Sequence, residues 1–201
     1  VDGIKVGAIA DLTCYSFHPR KLLTTGEGGA ILTDNARHAE WLTVKLAAGA
    51  SGVKGRGLDF VDYGYNYRLS EIQALMGCVQ LLKLDDITAA RNIIASEYSA
   101  VLEPLGFIRQ KVDTNVHHNL QSMIFTVPHG ASRDALIDHL GRHNIESTLG
   151  TYCLSATTYY LEKYNNVQEN SLWLESHTIT LPCYEGVDVF RVLGAINEFF
   201  D

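Results

Sequence analysis

Ser16-Phe17-His18-Pro19-Arg20-Lys21, running on through Thr24-Thr25-Gly26-Glu27-Gly28-Gly29 to Ala30-Ile31-Leu32-Thr33-Asp34-Asn35, is the stretch on which the reading of this chain turns. Residues 11–17 (DLTCYSF) predict a short, buried strand that stops at the turn signal His18-Pro19. A polar, glycine-containing loop follows over residues 20–29, and residues 30–33 predict a second strand. Asp34 or Asn35 then supplies an N-cap for a helix through about Ala47, since a short side-chain oxygen there takes one of the helix's orphan N–H groups. Chemically, the strand end feeds a lysine and several hydroxyls into a glycine-rich turn. Glycine permits positive φ and close backbone approach, while Ser16, Thr24 and Thr25 offer donors to an anion. A lysine so placed forms a Schiff base if burial or a neighbouring cation deprotonates it. The plainer alternative, a solvated lysine on a hairpin loop, is the one composition favours. Neither a Walker A lysine motif nor a dinucleotide G-x-G-x-x-G occurs.

Downstream, residues 49–65 (GASGVKGRGLDFVDYGY) carry five glycines and no helical period, which predicts an extended, mobile loop. Ser70-Glu71-Ile72-Gln73 is the clearest helix start, because a serine three residues before a glutamine can cap reciprocally. Ile72, Leu75, Met76, Val79 and Leu82 recur at the spacing of one helical face. Asp85-Asp86 bends or restarts the helix, and a second stretch follows through Ile87, Ala90, Ile94, Tyr98 and Leu102 until Pro104-Leu105-Gly106 closes it. A helix of that length suits a bridge between domains, so the boundary is expected here, with residues 1–84 in one domain and 85–201 in the other. The remainder predicts a small α/β unit. A strand is expected at 123–127, a helix capped by Ser132, a short strand at 145–149 and an irregular tyrosine-rich segment at 152–164. Helix at 169–177, extended chain at 178–181 and an amphipathic helix over 188–200 complete it.

The string SFHPRK…TTGEGGAILTDN closely resembles the lysine segment of the DegT family of sugar aminotransferases. A second block, Gly64-Tyr65-Asn66-Tyr67-Arg68-Leu69-Ser70 continuing into Glu71-Ile72-Gln73-Ala74, is similar to that family's following segment, in the expected order. A weaker echo runs over 133–160 and ends at Leu181-Pro182. The resemblance implies a pyridoxal-phosphate (PLP) enzyme of the aspartate-aminotransferase fold type. The implied fold class is α/β: the end of a PLP-binding large domain joined by a long helix to a small C-terminal α/β domain. The implied reaction moves an amino group from an amino acid, glutamate above all, through pyridoxamine phosphate to a keto-sugar nucleotide.

By the same resemblance Lys21 links the cofactor and afterwards moves the proton, while Ser16 hydrogen-bonds the cofactor phosphate. Asn66 matches a residue that reaches the phosphate from the partner subunit of a homodimer, and Arg68 is its plausible neighbour. Some relatives carry histidine in place of the lysine and are dehydratases; Lys21 favours amino transfer. His18 either touches the cofactor or bonds to nearby backbone, the structural role being favoured. Of His117 and His118, which precede a strand, only one can face a substrate because neighbours on extended chain point to opposite faces. His118 is taken as the candidate. Tyr152, Tyr159 and Tyr160 are candidates for stacking on a sugar, although 153–158 read CLSATT where many relatives carry a histidine.

The family's chain extends further on its N-terminal side. There the resemblance places a helix N-terminus for the phosphate, a ring stacked on the pyridine and an aspartate for the pyridinium nitrogen. Residues 1–10 contain none of these and read as the tail of a strand and turn. The chain is therefore expected to be the C-terminal portion of such an enzyme, as a cloned fragment, a proteolytic product or a truncated gene. A non-catalytic alternative is a module that packs or dimerises without cofactor.

Composition sets the outer limits. The 201 residues are 46% hydrophobic and 19% charged, enough apolar surface to support a core rather than disorder. The net charge of −7 comes without a Lys/Arg cluster, which speaks against a nucleic-acid footprint. No apolar run approaches the ~20 residues of a membrane helix, and the N-terminus lacks a signal-peptide pattern, so a cytoplasmic location is expected. Cys14, Cys78, Cys153 and Cys183 form no C-x-x-C pair and read as reduced thiols. His139 and His143 have the i, i+4 spacing of a metal pair, but no third ligand is evident in sequence, so no metal site is expected.

Overall fold

The computed structural model describes all 201 residues, Val1–Asp201. They divide into two compact units: Val1–Asp85 with Thr114–His117, and Asp86–Asp113 with His118–Asp201. Thr114–His117 groups with the first unit through Asn115, whose carbonyl accepts the Asp2 N–H at 2.9 Å. Its side-chain amide donates to Asp2 Oδ1, also at 2.9 Å.

In the first unit a 3-10 turn at Val6–Ala8 precedes a hairpin of strands β1 (Thr13–Ser16) and β2 (Gly29–Leu32), paired antiparallel with Ser16 opposite Gly29. The expected burial of the first strand is not found: Cys14, Tyr15 and Ser16 are exposed, because the hairpin is a two-stranded sheet with no third strand beside it. Helix α1 (Ala36–Leu46) starts where Asn35 Oδ1 accepts the Arg37 and His38 N–H groups. The predicted mobile loop at 49–65 is instead a second hairpin, β3 (Ala50–Lys54) with β4 (Gly57–Phe60). Its root is tight. Gly49 has φ +82° and a Cβ there would run into the Asp62 carbonyl, so the glycine that suggested looseness is what lets the hairpin close.

Helix α2 (Glu71–Leu81) opens with the predicted capping box: the Gln73 N–H donates to Ser70 Oγ at 3.3 Å, and the Ser70 N–H to Gln73 Oε1 at 3.2 Å. Ser70→Ala is expected to weaken the start of α2 by about 1 kcal/mol, read as faster amide exchange over the first turn of that helix. Helix α2 ends at Leu81 and helix α3 (Leu84–Leu102) begins, so the helix restarts slightly before the expected Asp85-Asp86. The apolar face of α2 is not buried as amphipathic packing predicts: Ile72 is 75% exposed and Leu75 67%. Every buried hydrophobic side chain of the protein lies at or beyond Ile94.

The second unit has the core. Its sheet runs in the order β5 (Ile108–Arg109), β6 (Met123–Thr126), β8 (Thr178–Leu181), β7 (Thr148–Leu149), with every neighbouring pair antiparallel. Along β6, Met123 and Phe125 are buried and Ile124 and Thr126 only partly so, the period of a strand with one face on a core. Helix α4 (Arg133–Arg142) contributes Leu136 and Leu140, and α7 (Val189–Phe200) contributes Val189, Val192, Leu193, Ala195 and Ile196. Helix α3 adds Ile94, Ala95, Tyr98 and Leu102. Ser132 and Asp188 cap α4 and α7 by accepting the Ala135 and Arg191 N–H groups. The Phe125 ring is edge-on to Tyr98 and to Phe107, both at 6.4 Å between centroids. Tyr98 donates its hydroxyl to the Pro182 carbonyl at 3.0 Å, and burial pushes its ionisation well above the ordinary tyrosine range. The segment expected to be irregular, 152–164, is a 3-10 turn at Leu154–Ala156 and helix α5 (Thr158–Tyr164); α6 (Glu169–His177) follows as predicted. All four cysteines are free thiols, and no helix is long and apolar enough to cross a membrane.

Candidate active site

The end of β1 turns at once. Lys21 N–H donates to the His18 carbonyl at 2.9 Å, and the chain then returns so that Phe17 exchanges backbone bonds with Thr25 and Gly28. Of the three hydroxyls that the sequence offers to an anion, the fold commits two. Thr24 donates to the Phe17 carbonyl at 2.9 Å and accepts the Gly26 N–H at 3.0 Å. Thr25 is buried and donates to the Glu27 carbonyl at 2.7 Å. Ser16 alone keeps its proton for an outside acceptor, since its Oγ only accepts the His18 N–H at 3.3 Å. His18 Nδ1 accepts the Arg20 N–H at 3.2 Å, so its ring bonds to local backbone. Lys21 itself is exposed and enters no ion pair. Ser16, His18 and Lys21 thus share one tight turn with a hydroxyl and an amine left uncommitted.

The turn is held by a residue that the sequence offers only as a helix cap and part of a family block. Gln73, the capping-box glutamine, donates its side-chain amide to the Glu27 carbonyl at 2.9 Å, joining the start of α2 to the glycine loop. Gly28 sits where a Cβ would come within 2.8 Å of Thr25 Oγ1 and 2.9 Å of Leu69 Cδ1, and its φ is +144°. Close approach is therefore what the glycine supplies here, between loop and helix entry.

Asn66 and Arg68 line a different hollow, of about 560 Å³, with Glu27, Gly28, Tyr67 and Leu69. Ser16, His18 and Lys21 are not among its lining residues. Backbone bonds fix the Asn66 strand: Ala48 N–H to the Tyr65 carbonyl at 2.8 Å and Tyr67 N–H to the Leu46 carbonyl at 3.1 Å. Lys45, which the sequence gave no reason to single out, anchors this stretch. It is buried, pairs with Asp62 at 2.7 Å, donates to the Tyr63 carbonyl at 3.0 Å and lies 3.4 Å from the Tyr63 ring centroid. The hydrogen bond from Lys45 holds the Asp62 carboxyl below the usual carboxylate range. The ion pair therefore persists at neutral pH and is lost as pH falls through that lowered value.

His118 and Tyr152 belong to the second unit. His118 Nδ1 accepts the Leu120 N–H at 3.1 Å, supporting a left-handed turn in which Leu120 has φ +53°. His117 is exposed, in the first unit. Tyr152 lines a hollow of about 530 Å³ with Leu154, Ser155, Tyr160 and Tyr164, while Tyr159 is outside that lining. Tyr159 Oη accepts from Lys163 Nζ at 3.1 Å.

The fold is that of a class of sugar aminotransferases, and the chain belongs to the DegT/DnrJ/EryC1/StrS aminotransferase family, whose model matches residues 1–196. It is 33% identical over 213 residues to the GDP-perosamine synthase of Caulobacter vibrioides, covering 98% of this chain and 54% of that protein. Over 101 residues, 49% of this chain and 26% of the relative, it is 44% identical to a UDP-4-amino-4,6-dideoxy-N-acetyl-beta-L-altrosamine transaminase of Campylobacter jejuni. The PLP form of the sugar aminotransferase Spr1654 from Streptococcus pneumoniae superposes with a TM-score of 0.86 at 25% identity, covering 98% of this chain and 53% of that one. The chain spans about half the length of the relatives it matches.

Proposed function

We propose that the chain carries the lysine-bearing part of a PLP-dependent aminotransferase acting on a keto-sugar nucleotide, with glutamate as amino donor. One observation carries this reading: in the turn after β1 only the Ser16 hydroxyl and the Lys21 amine stay uncommitted, five residues apart. That donor set fits a phosphorylated aldehyde, an amine for its carbonyl and a hydroxyl for its phosphate. When bound, PLP supplies a carbonyl that exchanges amines and a ring that takes up electrons. Lys21 Nζ holds the cofactor and then carries a proton to and from the substrate carbon. Ser16 donates to the phosphate, and His18, tied to backbone, keeps the turn in shape. Asn66 reaches the phosphate of a partner subunit in a homodimer, with Arg68 beside it. His118 and Tyr152 belong to the substrate side of the reading, Tyr152 as a ring for a sugar face.

The names of the Caulobacter and Campylobacter relatives support a nucleotide-sugar substrate, and solved PLP and PMP forms of Spr1654 support the cofactor. A second reading rests on the bare apolar face of α2: a module that packs or dimerises without chemistry. Incubating a full-length enzyme that contains this chain with PLP, glutamate and a nucleotide-linked keto-sugar, followed by mass spectrometry of the sugar, separates the readings. An amino sugar is the expected product. Loss of water from the sugar would establish a dehydratase instead, and neither product, with no cofactor attached at Lys21, would leave the packing module.

A further inference from the structure

The third ligand that the sequence withholds from His139 and His143 is supplied by the fold. Helix α7 runs past α4 and brings Glu198 to the two histidines, with donor atoms of all three within 4.8 Å of one another. His143 Nε2 stands 3.7 Å from Glu198 Oε2, too far for a hydrogen bond and about the separation of two atoms sharing an ion. We propose that His139, His143 and Glu198 form a binding site for a divalent transition metal of the zinc type, clipping α4 to α7.

Three features point to a metal rather than to a plain ion pair. His139 Nε2 lies 2.9 Å from the Ala195 carbonyl, an oxygen that can only accept, so the ring proton is on Nε2 and Nδ1 presents its lone pair. A backbone carbonyl on the far nitrogen is the usual second support of a metal-bound imidazole, fixing tautomer and ring plane. The His139 ring also packs edge-on against Phe199 at 5.4 Å, and the two imidazoles are 4.6 Å apart between centroids, close for two groups that repel once protonated. Finally, His143 is the C-cap of α4, where the helix's partial negative charge favours a cation. Arg191 donates to the His143 carbonyl at 2.7 Å and thus binds backbone rather than the Glu198 carboxylate. Tetrahedral donors at zinc distances stand about 3.4 Å apart, so the group must contract by roughly 1.4 Å. The mobile members can do this, with the His143 side chain 35% exposed and that of Glu198 65%. Water completes the coordination.

Zn²⁺ titrated by calorimetry into the full chain, with the exposed thiols removed as Cys14→Ser and Cys78→Ser, tests the site. One ion per chain is expected, with a rise in melting temperature on saturation. His143→Gln and Glu198→Gln are each expected to weaken binding at least about tenfold and to abolish that rise. Both side chains are at the surface, and metal-free circular dichroism of each variant establishes folding; Glu198→Gln alone suffices if His143→Gln unfolds. No binding by the parent chain, or an isotherm unchanged by Glu198→Gln, overturns the proposal and leaves His143 and Glu198 as an ion pair only.

Discussion

Reduced with borohydride after incubation with PLP, the chain is expected to carry a pyridoxyl group on Lys21, and Lys21→Ala to carry none. The chain has seven lysines, most of them solvated, and any amine reacts slowly with an aldehyde, so the prediction concerns selectivity. Lys45 is held by Asp62 and the Tyr63 carbonyl, and Lys163 by the Tyr159 hydroxyl. Lys21 is the lysine with an available hydroxyl on the same turn, and Ser16→Ala should lower labelling at Lys21 without moving it elsewhere. In an assay of amino transfer, Lys21→Ala is expected to reduce the rate by about 10²–10⁴-fold, the contribution of a positioned proton carrier. Lys21→Arg keeps the charge and should fail equally, since a guanidinium neither attacks a carbonyl nor releases its proton near neutral pH. The turn does not depend on the Lys21 side chain, because its backbone N–H makes the bond to His18. Peptide mapping that finds the label spread evenly over the lysines would sink the assignment.

Phe125→Ala is expected to remove about 3–5 kcal/mol from the second unit. Phe125 is fully buried on the central strand pair β6–β8 and is the shared member of two edge-on ring contacts, with Tyr98 and Phe107. Truncation leaves a void under the sheet and forfeits both ring contacts. For the second unit, which is about half the chain, the loss corresponds to a melting temperature lower by more than about 10 °C. Phe125→Leu, which keeps most of the volume, should recover much of it. Calorimetry checks both, and a Phe125→Ala transition within about a degree of the parent would show that Phe125 does not carry the core.

Signals confined to a few consecutive residues were legible. The Ser70–Gln73 box, the Asn35 and Ser132 caps, and the apolar period of the last helix each reflect bonds made within one turn, so sequence determines them. Burial was not legible for the first unit, because an apolar face at helical spacing says what could be covered and not what covers it. The second hairpin was hidden by its glycines: Gly49 reads as looseness, yet it is where the Asp62 carbonyl comes closest. Thr24 and Thr25 read as free hydroxyls because sequence does not reveal that the chain folds back onto Phe17. Glu198 lies 55 residues beyond His143, and only the packing of α4 against α7 makes them neighbours. Lys21 and Ser16 enter the proposed site from motif alone, whereas Gln73 and Lys45 act through carbonyls that no motif records.

The absence of any buried apolar side chain before Ile94 has a thermodynamic consequence. Two-stranded hairpins are marginal in water, and the first unit has two of them with one bare helix. Its order rests on hydrogen bonds, helix caps and one buried ion-paired lysine rather than on an apolar core. The second unit, with sheet and aromatic core, melts as a block. A single unfolding free energy therefore does not describe this polypeptide: the half with the aromatic core is not the half that presents Lys21.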